Sequence, residues 1–83
     1  RLDAEPVRLS PADEALAAQI RDWRAGEAKR LRVPAYVVMH DRTLAALVQA
    51  RPKNPRELLL IDGIGPAKVE RFGEQILRLC ADE

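Results

Sequence analysis

A chain of 83 residues, 47% of them hydrophobic and 33% charged, has the size of one domain with a single small core. One cysteine excludes an internal disulfide, and a formal net charge of +1 excludes a uniformly basic surface. No apolar run approaches the roughly 20 residues of a membrane-crossing helix and no signal-peptide pattern opens the chain, so a soluble cytoplasmic domain is expected.

Arg1 to Leu9 reads as a linker, and the folded domain is expected over residues 10–83. The chain lacks an initiator Met, which fits a domain taken from a longer protein. The first helix should start at Ser10, whose hydroxyl can cap the N–H groups behind it, with Pro11 in the first position and Asp13 and Glu14 near the positive dipole end. Ala12, Leu16, Ile20 and Trp23 then share a core stripe, while Arg21 and Arg24 lie toward water, and the helix ends between Lys29 and Arg32. Val33-Pro34 interrupts the pattern, because a residue before proline is biased away from helical angles. A short helical turn over 35–39 follows. Asp41 is the expected cap of the next helix, where Leu44, Leu47 and Val48 repeat at core spacing until Arg51-Pro52. Asn54-Pro55-Arg56-Glu57 is a further start signal, for a short helix that delivers Leu58, Leu59 and Ile61 to the interior. The last helix should run from Pro66 to about Ala81, burying Val69, Phe72, Ile76 and Leu79 and leaving Lys68, Arg71, Glu74 and Arg78 outside.

Every strong period is helical. The fold class expected is all-α: a compact single-domain bundle of about five helices in orthogonal or bundle-like packing, two long helices enclosing shorter ones. Tyr36, Trp23 and Phe72 are too few to fill the core, so aliphatic side chains must supply most of the packing. Cys80 reads as a buried or half-buried apolar residue.

Catalytic signatures are missing. Ser10, Thr43 and His40 are the only residues of their kinds, so no nucleophile, base and orienting group can be assembled from them, and His40 reads as a loop residue. No phosphate-binding G-x-x-x-x-G-K-[ST] loop is present, Cys80 has no partners at zinc spacing, and the carboxylates do not cluster as a two-metal site requires. We therefore expect no catalytic residue, no metal, no cofactor and no small-molecule substrate. Charge is uneven instead: six cations and one acid lie between residues 29 and 53, so Lys29, Arg30, Arg32, Arg42, Arg51 and Lys53 can form a basic surface. Asp13, Glu14, Asp22, Glu70, Glu74, Asp82 and Glu83 can form acidic ones.

The most informative run is Ile61-Asp62-Gly63-Ile64-Gly65-Pro66, which joins two helical patterns through a Gly-apolar-Gly turn. Gly63 and Gly65 can adopt angles closed to other residues, and Pro66 suits the first position of a helix. The turn resembles a helix-hairpin-helix DNA-binding element, with two departures. Asp62 puts a negative charge where phosphate would approach, and Val69 stands where that element keeps a small residue.

Taken in order, Val33-Pro34-Ala35-Tyr36-Val37-Val38-Met39-His40-Asp41-Arg42-Thr43-Leu44, Pro55-Arg56-Glu57-Leu58-Leu59, the Gly63-Ile64-Gly65 turn with Lys68, and Glu70-Arg71-Phe72-Gly73 resemble an HRDC domain, the helicase-and-RNase-D C-terminal module. The resemblance covers about residues 10 to 81. It implies an accessory domain of a bacterial RecQ-type DNA helicase, nucleoid-associated, serving repair or recombination through weak contacts with single-stranded or structured DNA. Tyr36 matches an aromatic position that the family can present to DNA, and a base stacks on an exposed ring without sequence preference. Lys29, Arg30, Arg32 and Arg42, with Lys68 and Arg71 beside the glycine turn, would neutralise phosphates. Asp62, Glu70 and Glu74 are the candidates for contact with the helicase core or neighbouring domains. Two alternatives stay open: a regulator acting by protein docking alone, and an RNA-contacting module of an RNase D.

Overall fold

Local signals set the helix boundaries of the computed structural model, which describes residues 10–81. The expected linker at 1–9 and the acidic residues Asp82 and Glu83 lie outside the described residues. Helix α1 (Pro11–Leu31) begins where the Asp13 N–H donates to Ser10 Oγ at 3.1 Å. It ends at Arg32, whose N–H donates to the Ala28 and Lys29 carbonyls and whose left-handed backbone (φ 60°) turns the Val33 N–H back onto the Ala28 carbonyl at 3.0 Å. Helix α2 (Ala35–Val38) is a single turn behind Pro34, and α3 (Asp41–Ala50) follows at once. Its N-cap is His40, with no side-chain cap bond, so the expectation of Asp41 as the cap is corrected by one residue. Asp41 is instead the first helical residue, where its carboxylate still meets the positive dipole end.

Helix α4 (Pro55–Leu58) starts as its sequence requires: the Glu57 N–H donates to Asn54 Oδ1 at 2.9 Å, and the Glu57 carboxylate accepts from the Lys53 N–H at 2.8 Å. Helix α5 (Pro66–Ala81) closes the chain. Five helices and, among the described residues, no strand make the all-α architecture that the periodicity predicts. Helix α1 packs against α2, α3 and α5, and α4 packs against α5, in a body of 34 × 26 × 22 Å.

The core is aliphatic, built on Leu16 and Ile20 of α1, Leu47 and Val48 of α3, Leu58 of α4 and Ile76 of α5. Phe72 is the one aromatic within it, with half-buried Trp23 edge-on at 5.5 Å. Two apolar expectations fail. Ala12 is exposed in the first turn of α1, whose buried face begins at Leu16, and Leu59 is 46% exposed because α4 ends at Leu58. The turn after α4 is tied to α3: the buried Thr43 hydroxyl donates to the Asp62 carbonyl at 3.0 Å. Gly63 passes directly beneath with φ 94°, and a Cβ there would lie 2.2 Å from Thr43 Oγ1. Gly65 has no positive φ and open space around it, so of the two glycines that can adopt angles closed to other residues only Gly63 does so.

Candidate nucleic-acid interface

Helix α2 has just four residues, and it cannot bury all of its side chains against α1. Val38 and the following Met39 enter the core, which turns Tyr36 and Val37 outward at 60% and 47% exposure. Tyr36 stacks against His40, with ring centroids 5.9 Å apart and planes 23° from parallel. These two rings border an open groove of about 560 Å³ whose other lining residues are Arg24, Ala35, Asp41 and Arg42.

Arg24 departs from expectation. Placed toward water by the helical pattern of α1, its side chain is only 12% exposed, because α2 and the start of α3 cover it. Nη1 donates to the Met39 carbonyl at 2.8 Å and pairs with Asp41 Oδ1 at 2.9 Å, while the buried Nε has no partner among the described residues. One guanidinium thus ties α1 to the junction that carries Tyr36, His40 and Asp41. Nothing in the spacing of α1 marks Arg24 for this; a signal exists only in the non-helical residues at 39–40, whose carbonyl needs a donor.

The other candidates are dispersed around that junction. Arg42 lines the groove, and its Nε lies 3.8 Å from Asp62 Oδ2 with both side chains exposed, so a candidate cation and a candidate acidic contact face each other. Arg30 pairs with Glu27 at 2.5 Å, and the hydrogen bond first, then the charge of that carboxylate, holds its guanidinium above the ordinary arginine value. Lys29 on the last turn of α1 and Arg32 at its C-cap are exposed with no ion pair among the described residues. On α5, Lys68 is half-buried and Arg71 lies over the Phe72 ring at 5.5 Å. Glu70 is exposed, and Glu74 pairs with Arg78 at 3.3 Å along the helix. The described contacts therefore join Tyr36, His40, Asp41, Arg42 and Arg24, and bring Asp62 to Arg42; Glu70 and Glu74 are not drawn into that set.

A second groove of about 570 Å³ lies between α1 and α5, where Trp23 Nε1–H donates to Gln75 Oε1 at 2.9 Å. Leu60 is 81% exposed beside the exposed Leu59. Burial pushes the Cys80 thiol up from its ordinary value, with Arg51 pulling partly back. Among the described residues no three potential metal ligands cluster, and no helix is long and apolar enough to cross a membrane.

The five helices and the exposed Tyr36 ring beside Arg42 and Asp41 define a small all-helical domain with an open, charged groove. The chain belongs to the HRDC domain family, whose profile matches residues 13–80. It is 43% identical over 67 residues to the ATP-dependent DNA helicase UvrD2 of Mycobacterium tuberculosis, a match covering 81% of this chain and 10% of that protein. To the ATP-dependent DNA helicase RecQ of Pasteurella multocida it is 36% identical over 71 residues, covering 86% of this chain and 11% of that one. Among solved structures, the third HRDC domain of D. radiodurans RecQ superposes with a TM-score of 0.80 at 30% identity, covering 86% of this chain and 97% of that domain. The chain spans about a tenth of the length of the curated helicases it matches, so it corresponds to a small part of each. The family expected from the sequence is the family found; UvrD2, beside RecQ, was not anticipated.

Proposed function

We propose that this domain is a non-catalytic nucleic-acid-contacting module of an ATP-dependent DNA helicase of the RecQ or UvrD2 kind, acting in the bacterial cytoplasm. It tunes which DNA structures the motor engages by holding single-stranded DNA weakly on the Tyr36 face. The observation that carries this reading is the exposed Tyr36 ring, backed by His40 and bordered by Arg42. An aromatic platform of this kind contributes about 1–3 kcal/mol per stacked base. Arg42, Lys29 and Arg32 supply phosphate contacts that need no sequence, and a net charge of +1 keeps the isolated affinity low. Tethering to a motor raises the effective concentration of such a site to about the millimolar range, so weak binding suffices.

Fluorescence anisotropy of labelled single-stranded, forked and duplex DNA, titrated with the domain across a salt series, tests this. Binding should weaken with salt, and Tyr36→Ala should lower affinity about five- to a hundred-fold without lowering the melting temperature. Absence of binding at low salt sinks the reading. An RNA strand bound more tightly than its DNA counterpart moves it to the RNase D alternative.

The exposed Leu59 and Leu60 favour a second reading, in which the domain docks onto its own helicase core. There, Leu60→Ser alters the full-length enzyme while leaving DNA binding by the isolated domain intact.

A further inference from the structure

The groove beside Tyr36 contains a fixed carboxylate, and a phosphate site would not. Asp41 Oδ1 is held at 2.9 Å by Arg24, which is itself anchored on the Met39 carbonyl, while the Asp41 side chain remains 89% exposed. A carboxylate so held is a fixed hydrogen-bond acceptor whose charge Arg24 offsets. The phosphate-facing cation, Arg42, and the stacking ring, Tyr36, border the same groove. Its volume of about 560 Å³ is ample for one nucleobase. A base stacked on Tyr36 therefore meets an acceptor that can use an exocyclic amino group. Cytosine, adenine and guanine each offer one; thymine and uracil carry the O4 carbonyl where cytosine carries its N4 amine, and a carboxylate placed for that amine repels O4, their one edge donor, N3–H, standing at the next position.

We infer that this groove takes one unpaired nucleobase bearing an exocyclic amine, and that Asp41 sets a preference for it over thymine or uracil. The inference rests on the reading of the Tyr36 face as a single-strand contact, and it turns a sequence-neutral platform into a selective one.

The test is the affinity of the 83-residue chain for oligo-dC and oligo-dT of equal length at low salt, repeated with Asp41→Ala and with oligo-dC carrying N4,N4-dimethylcytosine. The two pyrimidines have similar stacking areas, so their ratio isolates the edge. One charge-assisted hydrogen bond predicts a preference for oligo-dC of about ten-fold or more, falling to near unity for Asp41→Ala or for the dimethylated strand. Equal affinities in the unaltered domain, or a preference that survives both changes, overturn the role of Asp41 while leaving the platform standing. No binding of either strand overturns the platform itself. The dimethylated strand needs no altered protein, so the test survives a poorly folding variant.

Discussion

Gly63→Ala should unfold this domain more readily than its neighbour Gly65→Ala, although the two glycines are equivalent in the sequence motif. At φ 94° an alanine is strained by about 1–2 kcal/mol. Its Cβ would stand 2.2 Å from Thr43 Oγ1, and rotating that hydroxyl away still leaves Thr43 Cβ at 3.3 Å. The rotation also breaks the bond to the Asp62 carbonyl, a loss of about 0.5–1.5 kcal/mol. Against this, alanine restricts the unfolded chain, which returns about 0.4–1 kcal/mol. The net is about 2 kcal/mol, which for a domain of this size lowers the melting temperature by about 8–16 °C. Gly65→Ala meets open space at a φ that is not positive and should raise the midpoint by no more than about 8 °C. Thermal melts followed by circular dichroism, with urea unfolding as a second probe, measure both. Equal losses in the two variants, or a Gly63→Ala midpoint within a few degrees of the parent, would refute the argument from φ and Thr43.

Arg32→Gly should separate stability from binding: it relieves a left-handed backbone at the end of α1 and so stabilises by up to about 1 kcal/mol, while removing a cation with no ion pair among the described residues. If Arg32 meets a phosphate, the slope of log affinity against log salt becomes shallower by about 0.7 for single strands; an unchanged slope removes Arg32 from the interface. Asp62→Asn should leave the melting temperature nearly unchanged, since its pair with Arg42 is exposed on both sides, and should tighten DNA binding at low salt by about two- to three-fold. Unaltered affinity would place the strand away from Arg42. Cys80 gives a pH dependence. Its thiol is pushed up in the folded state, so the unfolded chain releases the proton first as pH rises. The stability difference between the parent and Cys80→Ala is therefore full below the ordinary value of 9.0 and shrinks above it; a difference constant from pH 8 to 10 contradicts the burial argument.

The helices were legible because their ends carry local chemistry: Ser10 and Pro11, Asn54 and Glu57, and Pro66 act within a turn of where they stand. The side chains that shape the groove were read less well. Tyr36 was legible as a candidate, but its exposure depends on which side of a four-residue helix meets α1, and four residues have too little period to say. Helical spacing puts Arg24 in water because it reports the direction from one axis, whereas its burial comes from α2 and α3 packing over it. Leu59 shows the converse: an apolar run read as core continues past the point where α4 stops turning. The glycine turn was legible as a turn, but the distinction between Gly63 and Gly65 belongs to Thr43, twenty residues earlier.

These long-range contacts link the turn to the proposed binding groove, and they explain how a nearly neutral domain can present a specific surface. Thr43 fixes the turn to the first residues of α3, and that same stretch carries Asp41 and Arg42. Arg24 fixes it from the other side, through Asp41 and the Met39 carbonyl. His40 stands on the short connection between α2 and α3 that these anchors hold, and Tyr36 stacks on it from α2. Ordering the groove is thus part of folding the core, so binding a nucleotide need not meet that entropy separately. A highly cationic surface would gain affinity everywhere along DNA. Here Asp62 faces Arg42 and Asp41 faces the groove, which limits phosphate attraction and leaves the geometry of ring, carboxylate and guanidinium to discriminate. For a module tethered to a motor, whose effective concentration already compensates for weak affinity, selectivity of this kind is worth more than strength.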